Sequence, residues 1–139
     1  MNAVSLNNYK KDALYPKVVQ AVARLLKTRN ETGVIDVLLE MGNLIPRDYE
    51  AWRNGRVLYL ERVFQGSLSK ANRILRIIEF HMHDLNMITN IRTYKQNNGK
   101  RVLRFSKSGI KVLEERYSRI YRWNRSEEIK QRIISESLV

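Results

Sequence analysis

Residues 67–106, SLSKANRILRIIEFHMHDLNMITNIRTYKQNNGKRVLRFS, change their hydrophobic rhythm once, and that change decides the expected fold. Leu68, Ala71, Leu75, Ile78, Met82 and Leu85 recur at intervals of three and four, which on a helix confines them to about 100° of arc. Ser67 stands where a side-chain cap is needed. Lys70, Arg73 and Arg76 fall near the opposite side, with Asn72 and His83 on the flank. The spacing therefore predicts a helix with an apolar stripe inward and a cationic stripe outward.

Beyond Leu85 the apolar residues alternate with a period of two, in Ile88–Gln96 and again in Arg101–Ser106. Asn98-Gly99 between them predicts a two-stranded β-hairpin, because a type I′ turn needs two positive φ angles. With those two residues as the loop, Tyr94 faces Leu103, Arg92 faces Phe105, Lys95 faces Val102 and Thr93 faces Arg104. One face is mostly apolar. The other carries Lys95 and Arg104, with Lys100 and Arg101 near the tip, so the hairpin reads as a cationic wing.

Shorter helices are expected upstream. Val18, Ala21, Val22, Leu25 and Leu26 have helical spacing within Pro16–Thr28. After a polar break at Asn30–Thr32, Thr32 can cap a helix through Val34–Met41 that Gly42 ends. Pro46 suits the first turn of a third, anchored by Trp52 and stopped at Asn54-Gly55. Val57, Leu60, Val63 and Phe64 suggest a fourth, ended by Gly66. Downstream, Ile110, Leu113, Tyr117 and Ile120 suggest a long C-terminal helix whose other side shows Arg116, Arg119 and Arg122. Ile129, Ile133 and Ile134 are apolar positions in a more polar tail that is a candidate contact with a second copy. No linker, repeat or low-complexity run interrupts residues 1–139, so a single domain is expected, with its core at about 16–124 and the tail at 125–139.

The composition fits a packed fold. Of 139 residues 43% are hydrophobic, with two prolines and six glycines, too apolar and too unbroken for a disordered basic tail. Without cysteine there is no disulfide framework and no cysteine-ligated zinc, and a cytoplasmic location is the simplest expectation. The first residues lack a signal peptide's basic start and apolar run, and no stretch approaches the roughly 18 apolar residues of a membrane span.

The formal charge is +12, and it is not evenly spread. The excess is +2 over residues 1–46, +11 over 47–125 and −1 over 126–139. No acidic residue lies between Asp84 and Glu114, while Arg92, Lys95, Lys100, Arg101, Arg104, Lys107 and Lys111 all fall in that gap. Solubilising surfaces normally intersperse both signs, so this distribution points to a polyanionic partner.

Signals for catalysis are absent. The carboxylates are scattered, and the spacing in Glu128-Ile129-Lys130 has no partner acid. His81 and His83 project about 200° apart on a helix and cannot share a metal ion unaided. Neither a phosphate-cradling glycine loop nor a nucleophile turn occurs. No enzymatic activity, cofactor or metal is expected. Tyr94, Tyr117, Tyr121 and Trp123 interleave with arginines as in surfaces that stack nucleobases, although aromatics at helical spacing more often belong to a core.

Short helices, a helix with a basic face and then a basic hairpin resemble a winged helix-turn-helix module. That resemblance implies a helix in the major groove and a wing along the phosphate backbone or minor groove. Carried onto this chain, Lys70, Asn72, Arg73 and Arg76 would be the groove contacts, and Lys95, Lys100, Arg101 and Arg104 the wing contacts, with Arg92 and Lys107 beside them. The strings Asp48–Val57, Leu68-Ser69-Lys70 and Leu103–Gly109 also resemble those of a group of small uncharacterised bacterial proteins, a similarity that implies no function.

The expectation is thus a mainly α, winged helix-turn-helix-like protein that binds nucleic acid, DNA ahead of RNA. The alternative is a small phage-type anti-defence inhibitor or adaptor whose positive surface docks on a protein or nucleoprotein.

Overall fold

The N-terminal helices follow the spacing of their apolar residues. In the computed structural model, which describes residues 4–139, α1 (Tyr15–Leu26) buries Val18, Ala21, Val22, Leu25 and Leu26. The strand β1 (Glu31–Gly33) comes next, where a polar break was expected. α2 (Val34–Met41) buries Val34, Ile35, Val37 and Leu38, and Gly42 ends it at φ 83°. Its cap is Gly33 rather than Thr32, which is buried in the strand. The Asp36 carboxylate accepts the Gly33 N–H at 2.8 Å and ties strand to helix. α3 (Pro46–Arg53) opens on its proline and buries Trp52 completely.

α4 (Leu68–Asp84) is capped by the Ser67 hydroxyl, which accepts the Lys70 N–H at 3.1 Å. Its buried face is wider than one stripe: Ile74, Ile77 and His81 are covered as well as Ala71, Leu75, Ile78 and Met82. The cause is packing from more than one direction, by α1 and by the short 3-10 turn Tyr9–Lys11. α4 is therefore a core helix, with less free surface than its sequence pattern suggests.

Two expected helices are corrected. The segment Val57–Gln65 forms only a 3-10 turn, Leu60–Val63, because its backbone is engaged with the hairpin: the N–H groups of Leu60 and Glu61 donate to the carbonyls of Arg104 and Phe105 at 3.2 and 2.9 Å. The long helix expected from Ile110 is α5 (Lys111–Ser118), after which the chain extends as β3 (Arg119–Arg122). There Arg-Ile-Tyr-Arg takes ladder bonds on both edges, which outweigh its weak helical preference.

The strand β2 (Ile88–Ile91) pairs with β3, not with Leu103–Ser106. A three-stranded antiparallel sheet, ordered β1-β3-β2, thus replaces the expected two-stranded hairpin as the main β element. Around Asn98 a shorter hairpin survives in the expected register. Lys95 bridges Val102, the Gln96 N–H donates to the Arg101 carbonyl at 2.8 Å, and the Leu103 N–H donates to the Tyr94 carbonyl at 2.8 Å. Asn98 has φ 60° but Gly99 lies outside the positive region, so the turn is not type I′.

α6 (Glu127–Ser137) lies against α1 of its own chain. Val19, Val22, Leu26, Trp123, Ile133 and Ile134 line the seam between them. The nearly buried Lys130 donates to Asn30 Oδ1 at 2.6 Å and to Glu127 at 3.3 Å. No helix among the described residues is long and apolar enough to cross a membrane.

Candidate nucleic-acid interface

An aromatic cluster seats the hairpin. The Trp52 ring lies 5.6 Å from Tyr94 and 5.3 Å from Phe105, and Phe105 stacks on Tyr117 at 5.7 Å. Each is at most 4% exposed, as are Tyr121 and Trp123, so none presents a face to a nucleobase. Of the two readings of these aromatics the core one holds and the stacking one does not: these rings hold the fold together. Outside the cluster, the Trp52 indole donates to the Arg104 carbonyl at 2.9 Å.

Polar bonds then join the hairpin to the turn after α3. The Asn97 N–H donates to the Arg53 carbonyl at 2.8 Å. The Arg53 guanidinium donates to the carbonyl of Lys95 at 3.3 Å and to Asn97 Oδ1 at 3.4 Å. Arg101 donates to the Gly55 carbonyl at 3.3 Å. At Gly55 the left-handed backbone (φ 77°) and the close approach both require glycine, since an added Cβ would lie 2.7 Å from the Gln96 side chain. The sequence separates residues 53–62 from 95–107 by more than thirty positions; the fold makes them one surface.

That surface carries the exposed Arg56, Arg62, Lys95, Lys100, Arg101, Arg104 and Lys107, with Arg53 half-buried beneath them and its Nε out of contact with solvent. Within its two segments the only carboxylate is Glu61. Glu61 is occupied by neutral donors, the Lys107 N–H at 2.9 Å and the Tyr117 hydroxyl at 2.8 Å. Glu114, the nearest acid beyond the hairpin, accepts the N–H groups of Phe105 and Ser106 and the Ser106 hydroxyl. None of the eight cations forms an ion pair with any described residue. Their contacts are to carbonyls, to hydroxyl and amide oxygens, and to rings, such as Arg104 over Tyr59 at 5.5 Å. Such contacts orient a guanidinium without neutralising it.

Several cations singled out from the sequence are instead held by the protein's own acids. Arg73 grips Asp12 with two bonds, 2.9 and 2.6 Å, and this pairing keeps the Asp12 carboxyl below the usual range despite its burial. Arg76 pairs with Glu79 at 3.0 Å and covers the Phe80 ring. Arg92 reaches Glu31 at 3.1 Å, and Arg119 reaches Glu79 at 3.1 Å. Of the expected groove contacts on α4, Lys70 and Asn72 keep free side chains, Lys70 half-buried and Asn72 exposed. Lys95, Lys100, Arg101, Arg104 and Lys107 stay exposed, all on the segment that docks on residues 53–62. Arg53, Arg56 and Arg62 were missed; the only sequence signal for them was their place in the basic span 47–125.

Leu58 (68% exposed) and Val102 (61%) stand among these cations, on a shallow groove of about 170 Å³ shared with Arg101 and Arg104. No known protein family, no curated protein and no solved structure matches the chain.

Proposed function

We propose that this protein binds duplex DNA through the joined surface of residues 53–62 and 95–107, with phosphate neutralisation supplying most of the affinity. The observation that carries this reading is the set of eight cations without an acidic partner, gathered from two distant segments where the hairpin docks on the turn after α3. Unpaired cations at a surface can displace the counterions condensed on a polyanion, whereas cations already paired gain less. In the winged-helix reading the hairpin remains the wing. α4 is too deeply packed to lie whole in a groove, which leaves Lys70 and Asn72 as lesser contacts and makes a weak sequence preference the expectation.

The test is a titration of labelled duplex over a range of salt, with RNA as competitor at equal salt. About six phosphate contacts should give a slope of log K against log salt near −5, and duplex DNA should outcompete RNA. Affinity that ignores salt, or no binding, rejects the proposal.

Leu58 and Val102 favour a second reading, an adaptor or anti-defence protein docking on an acidic protein or nucleoprotein, because apolar side chains among cations also suit a protein interface. A partner captured before and after nuclease treatment alike supports that reading; one lost with the nucleic acid supports the first.

A further inference from the structure

We infer that the groove between Leu58 and Val102 holds one unpaired nucleobase, so that the nucleic acid this surface prefers is a duplex carrying a single-stranded nucleotide. The inference rests on the DNA reading above and adds to it the kind of DNA bound.

Val102 breaks the pattern of its strand. It bridges Lys95, while the next residue, Leu103, donates its N–H to the Tyr94 carbonyl, and side chains alternate across a strand. Tyr94 and Leu103 are buried, so Lys95 and Val102 share the outward face, with Lys100 and Arg104 two residues to either side of Val102. Among these exposed side chains the valine is the one without a polar group. Leu58, also exposed, meets it from the other segment. Backbone bonds fix the two walls to each other: the Leu60 N–H donates to the Arg104 carbonyl at 3.2 Å, and the Arg101 guanidinium donates to the Gly55 carbonyl at 3.3 Å. The groove is therefore formed before any ligand arrives.

Arg101, Leu103 and Arg104 complete its lining. Its volume of about 170 Å³ lies below the roughly 300 Å³ at which pockets for drug-sized ligands begin, so it has room for one flat ring system and not for a whole nucleotide. Apolar walls suit the face of a base. The two arginines have no acidic partner, which suits the phosphates on either side of that base. A base inside a duplex loses its pairing and stacking when it is extruded, and the groove has no acceptor side chain to replace the pairing; a base already unpaired loses neither. A protein partner fits less well. A standard protein interface buries about 800 Å² on each side around an apolar core, and two apolar side chains among cations do not make such a core.

Three duplexes of one sequence, compared at a fixed salt, test the inference: one fully paired, one with a single bulged adenine, and one whose bulge is an abasic nucleotide, which keeps the extra phosphate and has no base. Wild type should bind the adenine bulge at least about fivefold more tightly than the abasic bulge. Leu58→Ser combined with Val102→Ser changes two exposed positions and should bring that ratio to about one, while affinity for the paired duplex and its salt slope stay as in wild type. Salt-dependent binding in which wild type takes the adenine and abasic bulges alike overturns this inference alone and leaves the groove to the protein partner of the second reading. A double variant that keeps the preference overturns it too. Binding to none of the three duplexes rejects the DNA reading and this inference together.

Discussion

His81 and Asp12 both make the fold sensitive to acid, one as a buried neutral base and the other as a paired carboxylate. His81 is 6% exposed on α4, and burial, with Lys10 nearby, lowers its pKa from 6.5 to about 4. The unfolded chain therefore takes up that proton first as pH falls below about 6.5, and folding stability drops by about 3 kcal/mol by the time pH reaches about 4. His81→Leu should remove this slope; denaturant midpoints measured at neutral and mildly acid pH will check it. The Asp12–Arg73 pair keeps its full contribution above the usual carboxylate range and loses it only as pH falls through the lowered pKa. Arg73→Gln leaves a nearly buried carboxylate without its partner and should cost about 2 kcal/mol. Its salt slope for DNA should stay at the wild-type value. Lys100→Gln should do the reverse, keeping stability within about 0.5 kcal/mol while making the slope shallower by about one.

At the scale of elements, the hairpin depends on Gly55. Gly55→Ala combines a left-handed backbone, which costs a side-chain-bearing residue about 1–2 kcal/mol, with a Cβ 2.7 Å from Gln96. The expected result is faster amide exchange over 95–103; protection equal to wild type would contradict the account. Elements with strong local signals were legible in the sequence: the α4 cap at Ser67, the α2 stop at Gly42, the proline start of α3 and the register around Lys95 and Val102. The sheet was not. β1 and β3 are three and four residues long, and Tyr117 and Ile120 happen to fit a helical spacing that hides β3. Nothing local announces that Arg119–Arg122 will take two neighbours, since the reward for extending lies in Glu31–Gly33 and Ile88–Ile91, both distant in the chain.

Over the whole molecule, the cations sort into two groups that their spacing could not separate. Arg73 on α4 and Arg119 on β3 meet acids supplied by other elements, Asp12 and Glu79, Arg76 pairs with Glu79 along its own helix, and all three serve the fold. Those beside Trp52 meet no free acid, because Glu61 and Glu114 are occupied by N–H and hydroxyl donors. Charge counting located the basic half of the chain, and only the docking of residues 95–107 on 53–62 identified which of its cations keep their charge available. The most direct test is the salt dependence of duplex binding by a Lys95→Gln, Lys100→Gln, Lys107→Gln triple variant set against wild type. Removing three phosphate contacts should make the slope shallower by about three and weaken binding to all sequences alike. A triple variant with wild-type affinity and slope would contradict the assignment of this surface.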